Sequence, residues 1–286
     1  MLQTTESFAN SIPVLTYHHV SSSGGSLTIS PENFESQIGW LAKNGYVTLT
    51  ADEFARFLHG APMPRKSVLL TFDDGYLDNY VHAHPILLRY GLNAVMFLVT
   101  GRVHDGPYRA IGAQRLEAPR SHQACERLVH DGRADEVTVR WSEVDLMRAA
   151  GTFEFHSHTH SHLRWDQLCA DPVHKRQNIG VDIEKSKAIL VARLGAGSRH
   201  LCWPEGYFDA DYLDAAKAAG FEYLYTTRNL RRNVPGSDPH RIHRLVDNGK
   251  DAEWLAQKLH RYQDPLWGRA YYWFKRARHF RDEAWS

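Results

Sequence analysis

Cysteine is scarce in this chain: there are three in 286 residues, Cys125, Cys169 and Cys202, and none are in CxxC spacing. That excludes a disulfide framework or a zinc knuckle as the organising principle. A surplus of one charge is also missing, the formal net charge being +1. Bulk binding to nucleic acid needs a strong basic field, so nucleic acid is not an expected partner. No stretch approaches the roughly 20 apolar residues of a spanning helix. The opening residues Met1 to Glu6 carry neither a basic region nor a long apolar run. A secretory signal is therefore not expected, and a cytoplasmic protein is. Internal repeats and low-complexity tracts are absent too.

What is present is the composition of a folded domain, 43% hydrophobic and 23% charged. The length allows one large domain or at most two small ones, and 1–286 reads as a single domain. Eight Trp and thirteen Tyr suit a large core, or faces for stacking on sugar rings.

Short β-branched runs alternate with longer helical patterns. Strands are expected over Ile12–Thr16, Ser67–Phe72, Asn93–Val99, Thr152–Phe155, His200–Trp203, Glu222–Thr226 and Ile242–Val246. Ser30-Pro31-Glu32 is a helix start, with a Ser cap and Pro in the first turn, and Phe34, Ile38 and Leu41 form its apolar face. Further helices are expected from Gly75 to about Gly91, over Lys175–Leu194 and over Asp209–Ala219. This alternation implies a parallel sheet, and about seven strands over this length suggest an α/β fold, a distorted (β/α)7-type barrel. Residues 101–140 are polar and read as an insertion with one helix over Gln123–His130.

Two clusters carry chemistry, and both fall at expected strand ends, where barrels place their active sites. In Thr71-Phe72-Asp73-Asp74-Gly75, two adjacent carboxylates stand at the mouth of a strand, and a turn beginning at Gly75 brings both to one site. Close carboxylates repel, so one wants a cation while the other acts as a base. Phe155-His156-Ser157-His158-Thr159-His160-Ser161-His162 supplies four imidazoles, the commonest neutral metal ligand near pH 7. Spacing alone leaves the ligands open: an extended chain aligns all four, whereas a helical turn pairs His156 with His160 or His158 with His162. One carboxylate and two histidines would leave coordination positions open for water and substrate, the pattern of a catalytic site.

Asp73-Asp74-Gly75, His158-Thr159-His160-Ser161-His162 and Trp203-Pro204-Glu205-Gly206 resemble the first three motifs of the polysaccharide deacetylases, carbohydrate esterase family four. Pro13-Val14-Leu15-Thr16-Tyr17-His18-His19-Val20 is similar to the opening of the circularly permuted poly-N-acetylglucosamine deacetylase branch. The resemblance implies Asp73 as general base, Asp74, His158 and His162 as metal ligands, and His18 as catalytic acid. It leaves His156 and His160 supporting or incidental, and His19 adjacent to the site. Tyr17, Trp203, Glu205 and Gly206 are implied as substrate contacts, with the backbone N–H of Glu205 holding the oxyanion. Zinc is the expected ion, and cobalt, nickel or iron(II) would fit the same ligand set.

The sequence departs from the family in two places. The usual Pro-Tyr-Gly is Pro204-Glu205-Gly206, which sets a carboxylate near the substrate. No arginine stands near Trp203 where the common family has one. His243 in Arg241-Ile242-His243-Arg244 lacks the surrounding pattern of the unpermuted family's acid and reads as structural. The implied activity is metal-dependent removal of acetyl from an N-acetylhexosamine in a bacterial glycan. The alternatives are hydrolysis of another amide on the same fold, or a glycan-binding module without catalysis.

The substrate expected for a cytoplasmic enzyme is a lipopolysaccharide-core or lipid-linked saccharide. Residues 250–286 read as a C-terminal helical extension. Trp267, Tyr271, Tyr272, Trp273, Phe274, Phe280 and Trp285 are interleaved there with Arg269, Lys275, Arg276, Arg278 and Arg281. Such a mixture suits packing on the barrel, an oligomer contact, or peripheral attachment to the inner membrane. The oligomeric state is left open.

Overall fold

The computed structural model describes residues 8–112, 120–227, 231–247 and 249–264, together with 266, 268, 270, 271 and 273. The strands are β1 (Val14–Tyr17), β2 (His19–Val20), β3 (Thr28–Ile29), β4 (Val47–Thr48), β5 (Ser67–Phe72), β6 (Ala94–Leu98), β7 (Phe153–Ser157), β8 (His200–Cys202), β9 (Tyr223–Tyr225) and β10 (Leu245–Val246). The helices are α1 (Pro31–Lys43), α2 (Ala51–Leu58), α3 (His84–Tyr90), α4 (His122–His130), α5 (Trp141–Ala149), α6 (Trp165–Leu168), α7 (Pro172–Leu194), α8 (Ala210–Ala218) and α9 (Ala252–Gln263).

All pairings in the main sheet are parallel, and its order is β10-β1-β5-β6-β7-β8-β9, with β4 added beside the start of β5. The sheet curls until its two ends approach. Thr226 N–H donates to Ile242 O at 3.0 Å, and Ile242 N–H to Leu224 O at 2.9 Å. This is the expected distorted (β/α)7-type barrel.

Period-two alternation sorts the strand side chains into two sets. Val14, Leu69, Val95, Phe97, Cys202, Tyr223 and Tyr225 cluster with Phe54, Phe57 and Leu58 of α2. Leu15, Tyr17, Val68, Leu70, Phe72, Met96, Phe153 and Phe155 cluster instead with Phe34, Ile38 and Leu41 of α1, Leu87 of α3 and Leu255 and Leu259 of α9. Each such side chain contributes about 1.5–3 kcal/mol on burial, which is why the alternation sets the register. α7 and α8 cover the remaining flank, over Leu201, Trp203 and Leu224.

The helix starts have local causes. Ser30 Oγ accepts from Asn33 N–H with Pro31 in the first turn, and Thr50 with Glu53 forms a reciprocal capping box at α2. Asp171 caps α7 through Val173 and His174 N–H, and Gly195 in the left-handed conformation ends it. The helix expected after Gly75 begins as a π-helical turn, Asn79–Ala83, and continues as α3. Within 101–140, the described residues carry α4 and a 3-10 turn, Ala134–Glu136. β2, β3, β4, α2, α5 and α6 had no counterpart in the sequence-based expectation. α9 forms the start of the expected C-terminal extension.

Among the described residues no helix is long and apolar enough to cross a membrane. Of the expected aromatic and basic C-terminal set, Trp267, Arg269, Tyr272, Phe274, Lys275, Arg276, Arg278, Phe280, Arg281 and Trp285 lie outside the described residues.

A buried polar chain joins β1 and the segment after β10 to α1. Tyr17 Oη donates to Gln37 Oε1 at 2.6 Å, and Gln37 Nε2 donates to Asp247 Oδ1 at 2.9 Å and Lys250 O at 2.7 Å. Gln37→Leu strands the Tyr17 hydroxyl and should cost about 2–3 kcal/mol, against about 1 kcal/mol for Tyr17→Phe. Urea titration of the two variants checks the order.

Candidate active site

β5 delivers Asp73 and Asp74 to the C-terminal mouth of the barrel. Asp73 N–H continues the strand ladder by donating to Tyr17 O at 3.1 Å. Asp74 then turns to φ 71 and Gly75 also to φ 71, so the turn begins one residue earlier than expected. That double reversal lets consecutive carboxylates, which would face opposite sides of a strand, enter one site. Both are buried.

The two carboxylates have separate partners. Asp73 is gripped by Arg244, whose Nη1 reaches Oδ1 at 2.8 Å and whose Nη2 reaches Oδ2 at 2.7 Å. Arg244 is fully buried, and its Nε donates to Thr226 O at 2.9 Å. Burial pushes the Asp73 carboxyl up, but Arg244 with His158 and His18 outweighs it, and the net pKa lies below the ordinary value. His18 also approaches Asp73, with Nε2 3.7 Å from Oδ2. Burial lowers the His18 pKa, against an upward pull from Asp73 and Asp74.

Asp74 faces the histidines. Its Oδ1 lies 3.6 Å from His158 Nε2 and 3.3 Å from His162 Nε2. His158 Nδ1 lies 2.8 Å from Cys202 O. Donation to that carbonyl fixes the tautomer and leaves the Nε2 lone pair aimed at Asp74. Burial brings His162 down to about 4, so its imidazole is neutral near pH 7. Burial also raises Asp74, yet the charges around it hold the carboxyl well below the usual range. The loop that places His162 is tight: Thr159 has φ 64 and His162 φ 60. Thr159 Oγ1 accepts from His162 N–H at 3.1 Å, and Asp182 Oδ1 accepts from Ser161 N–H at 2.8 Å.

Asp74, His158 and His162 fit a divalent cation. Their ligand atoms all lie within 4.8 Å of one another, and Asp74 Oδ1 is buried without a hydrogen-bond donor among the described residues. Asp73, His158 and Cys202 meet the same distance criterion. Chemistry disfavours that second set: both Asp73 oxygens are taken by Arg244, and burial pushes the Cys202 thiol far up, away from the thiolate a metal needs.

The remaining histidines lie outside this group. His156 Nδ1 is 2.8 Å from Ser198 Oγ, and His160 Nδ1 is 3.1 Å from Thr100 Oγ1. His19 contacts Asp78 at 2.6 Å and His122 of α4 at 3.2 Å. Arg102 forks onto Glu126 of α4 at 2.8 and 3.2 Å, and Tyr76 Oη donates to Glu126 at 2.6 Å.

Two of the four expected substrate contacts, Tyr17 and Trp203, lie in the core. Tyr17 is 2% exposed and packs between Phe34 and Phe72. Trp203 is 0% exposed, with its ring against Phe208 and Tyr212. Neither presents a face to a ligand, because each is an apolar strand-end residue on the helix-covered side. Gly206 has φ 69, and a Cβ there would come within 2.3 Å of Thr227 N and Oγ1, so the turn requires glycine. Glu205 is exposed, and its carboxylate is paired with Arg164 rather than standing free.

Arg244 was missed by the sequence reading, which weighed only its neighbour His243. The available signal was an arginine directly before the apolar Leu245-Val246 of a strand. An arginine absent near Trp203 is thus present from a strand some forty residues on.

A family model described as polysaccharide deacetylase matches residues 60–224, more than half of the chain. The Bacillus subtilis protein YxkH, provisionally named a polysaccharide deacetylase, is 29% identical over 217 residues, 76% of this chain and 64% of that protein. The chain thus spans a little under two thirds of that relative's length. A Staphylococcus aureus poly-β-1,6-N-acetyl-D-glucosamine N-deacetylase is 24% identical over 233 residues, 81% of this chain and 71% of its own. Two solved structures share the fold. The Streptococcus pyogenes deacetylase PplD, in complex with acetate, superposes with TM-score 0.69 at 22% identity, covering 90% of this chain and 100% of its own. IcaB from Ammonifex degensii superposes with TM-score 0.67 at 24% identity, covering 90% and 99%.

Arg244→Ala leaves Asp73 buried and unpaired. It should destabilise the protein by about 3–5 kcal/mol, the cost of breaking a buried pair from one side. Chemical denaturation of the variant measures this.

Proposed function

The chain belongs to the polysaccharide deacetylase family, and from that premise we propose that it is a metal-dependent hydrolase removing the N-acetyl group from an N-acetylhexosamine in a bacterial glycan. The observation that carries this reading is one cluster. Asp74, His158 and His162 converge beside an Asp73 held by Arg244, with His18 3.7 Å away.

Asp74, His158 and His162 would hold the ion, zinc by preference of the donor set, with cobalt, nickel or iron(II) accepted by the same ligands. When bound, such an ion polarises a carbonyl and lowers the pKa of a coordinated water. Asp73 accepts the proton of the attacking water. The Arg244 fork keeps its carboxylate ionised and oriented for that transfer. His18 in its protonated form donates from Nε2 to the departing amine nitrogen, as a general acid. The backbone N–H of Glu205 supports the carbonyl oxygen as it gains charge, a contact typically worth about 3–4 kcal/mol of barrier.

For the glycan, the name of the S. aureus relatives supports a poly-N-acetylglucosamine. A lipopolysaccharide-core or lipid-linked N-acetylhexosamine is the second reading. It is favoured by the aromatic and basic C-terminal residues, and carries with it a cytoplasmic location and a peripheral membrane contact. Acetate release from each class, with and without prior chelation, tests the function. Release from neither class would overturn it.

Two variant series test the roles. Alanine at Asp74, His158 or His162 should each strip the divalent ion, read by elemental analysis, while His156→Ala and His160→Ala retain it. Full occupancy in His158→Ala or His162→Ala would refute the ligand set. His18→Ala should lower kcat by about 10²–10⁴-fold with the metal retained, the range for a lost general acid. His243→Ala should stay within a few fold. Steady-state kinetics of the pair would reverse the assignment if the two results were exchanged.

A further inference from the structure

Five non-glycine residues of the described chain have positive φ, and four of them, Asp74, Thr159, His162 and Glu205, belong to this site. Glu205, at φ 55 and ψ 9, is the one whose backbone the proposed chemistry uses directly. A left-handed glutamate needs its surroundings to hold it. Thr227 Oγ1 donates to Glu205 O at 3.1 Å, and the carboxylate takes Arg164 Nη1.

Arg164 is not a loose surface cation. Its Nε and Nη2 donate to the two oxygens of Asp166, both at 2.8 Å. Its guanidinium carbon stands 4.0 Å over the Tyr207 ring. Asp166 in turn accepts from Tyr212 Oη at 3.0 Å. Arg164 follows His162 by two residues, so one guanidinium joins the histidine loop to the Pro204–Gly206 turn.

We propose that Arg164 is a positioning residue: it holds Glu205 in the left-handed conformation, and with it the backbone amide directed at the acetyl oxygen. This rests on the deacetylase reading. An exposed ion pair usually contributes little, because two flexible side chains must be ordered to make it. Here the fork to Asp166 and the Tyr207 ring have already ordered the guanidinium, so closing on Glu205 adds little further cost. The preference of a residue against the left-handed region is itself small, so an interaction of similar size decides which conformation is populated. The glutamate in place of the family's usual tyrosine is what gives Arg164 a group to grip.

The test is a double-mutant cycle of Arg164→Ala and Glu205→Gln, read three ways. Each single variant should lower kcat about tenfold through misplacement of the turn, with KM within about twofold and metal content unchanged. The double variant should be no slower than either single, since both remove one interaction. Independently of any substrate, hydrogen exchange at the Gly206 and Tyr207 amides should accelerate in both singles, because these N–H groups bond Trp203 O and Pro204 O within the same turn. Additive losses, a change in KM alone, or unaltered exchange would each overturn the proposal. If the wild-type chain releases no acetate, the deacetylase reading fails, and the exchange result alone decides whether Arg164 holds the turn.

Discussion

Asp73 and Arg244 meet inside the barrel, where neither charge could stand alone. Removing an ion from water costs several kcal/mol even after relaxation, so each demands the other and every remaining donor demands an acceptor. The geometry meets that demand: two parallel hydrogen bonds to the carboxylate, and Nε on Thr226 O. Thr226 N–H donates to Ile242 O where the two edges of the sheet approach. The same guanidinium therefore helps close the barrel and sets the charge state of the proposed base. His18 and His158 of the Asp74 group both adjoin Asp73 of that pair.

Strain is concentrated where the strands end. Asp74 leaves β5 in a left-handed conformation, and Thr159 and His162 do the same after β7. Regular strand geometry sends neighbouring side chains to opposite faces, so adjacent carboxylates cannot share a site without such reversals. The cost is met by local bonds, Ser157 Oγ from Thr159 N–H and Thr159 Oγ1 from His162 N–H among them. The serine and threonine between the histidines thus serve as turn-makers.

Much of the site was legible because its chemistry is contiguous in the chain. Asp73 and Asp74 are neighbours, and His158 and His162 fall within five residues. Helix starts with side-chain caps were legible at Ser30, and the Thr50–Glu53 capping box of α2 was equally open to reading. α5 begins instead at Arg140, where the Glu143 carboxylate accepts the Arg140 N–H without a capping hydroxyl, so no local signal announces it. Tyr17 and Trp203 looked like ligand contacts because they adjoin motif residues. Alternation turned their rings into the core, which adjacency in sequence does not reveal.

The sequence by itself determined the parallel α/β class, the strand ends that carry the candidate site and the residue types of the candidate metal group, since all three follow from periodicity and local motif. Only the tertiary structure decided which partner each carboxylate takes. Arg244 is 171 residues from Asp73, and Arg164 meets Glu205 across 41. Those pairings arise from curling the sheet until distant strand ends share one mouth, and no local preference encodes a contact that loop closure alone brings about.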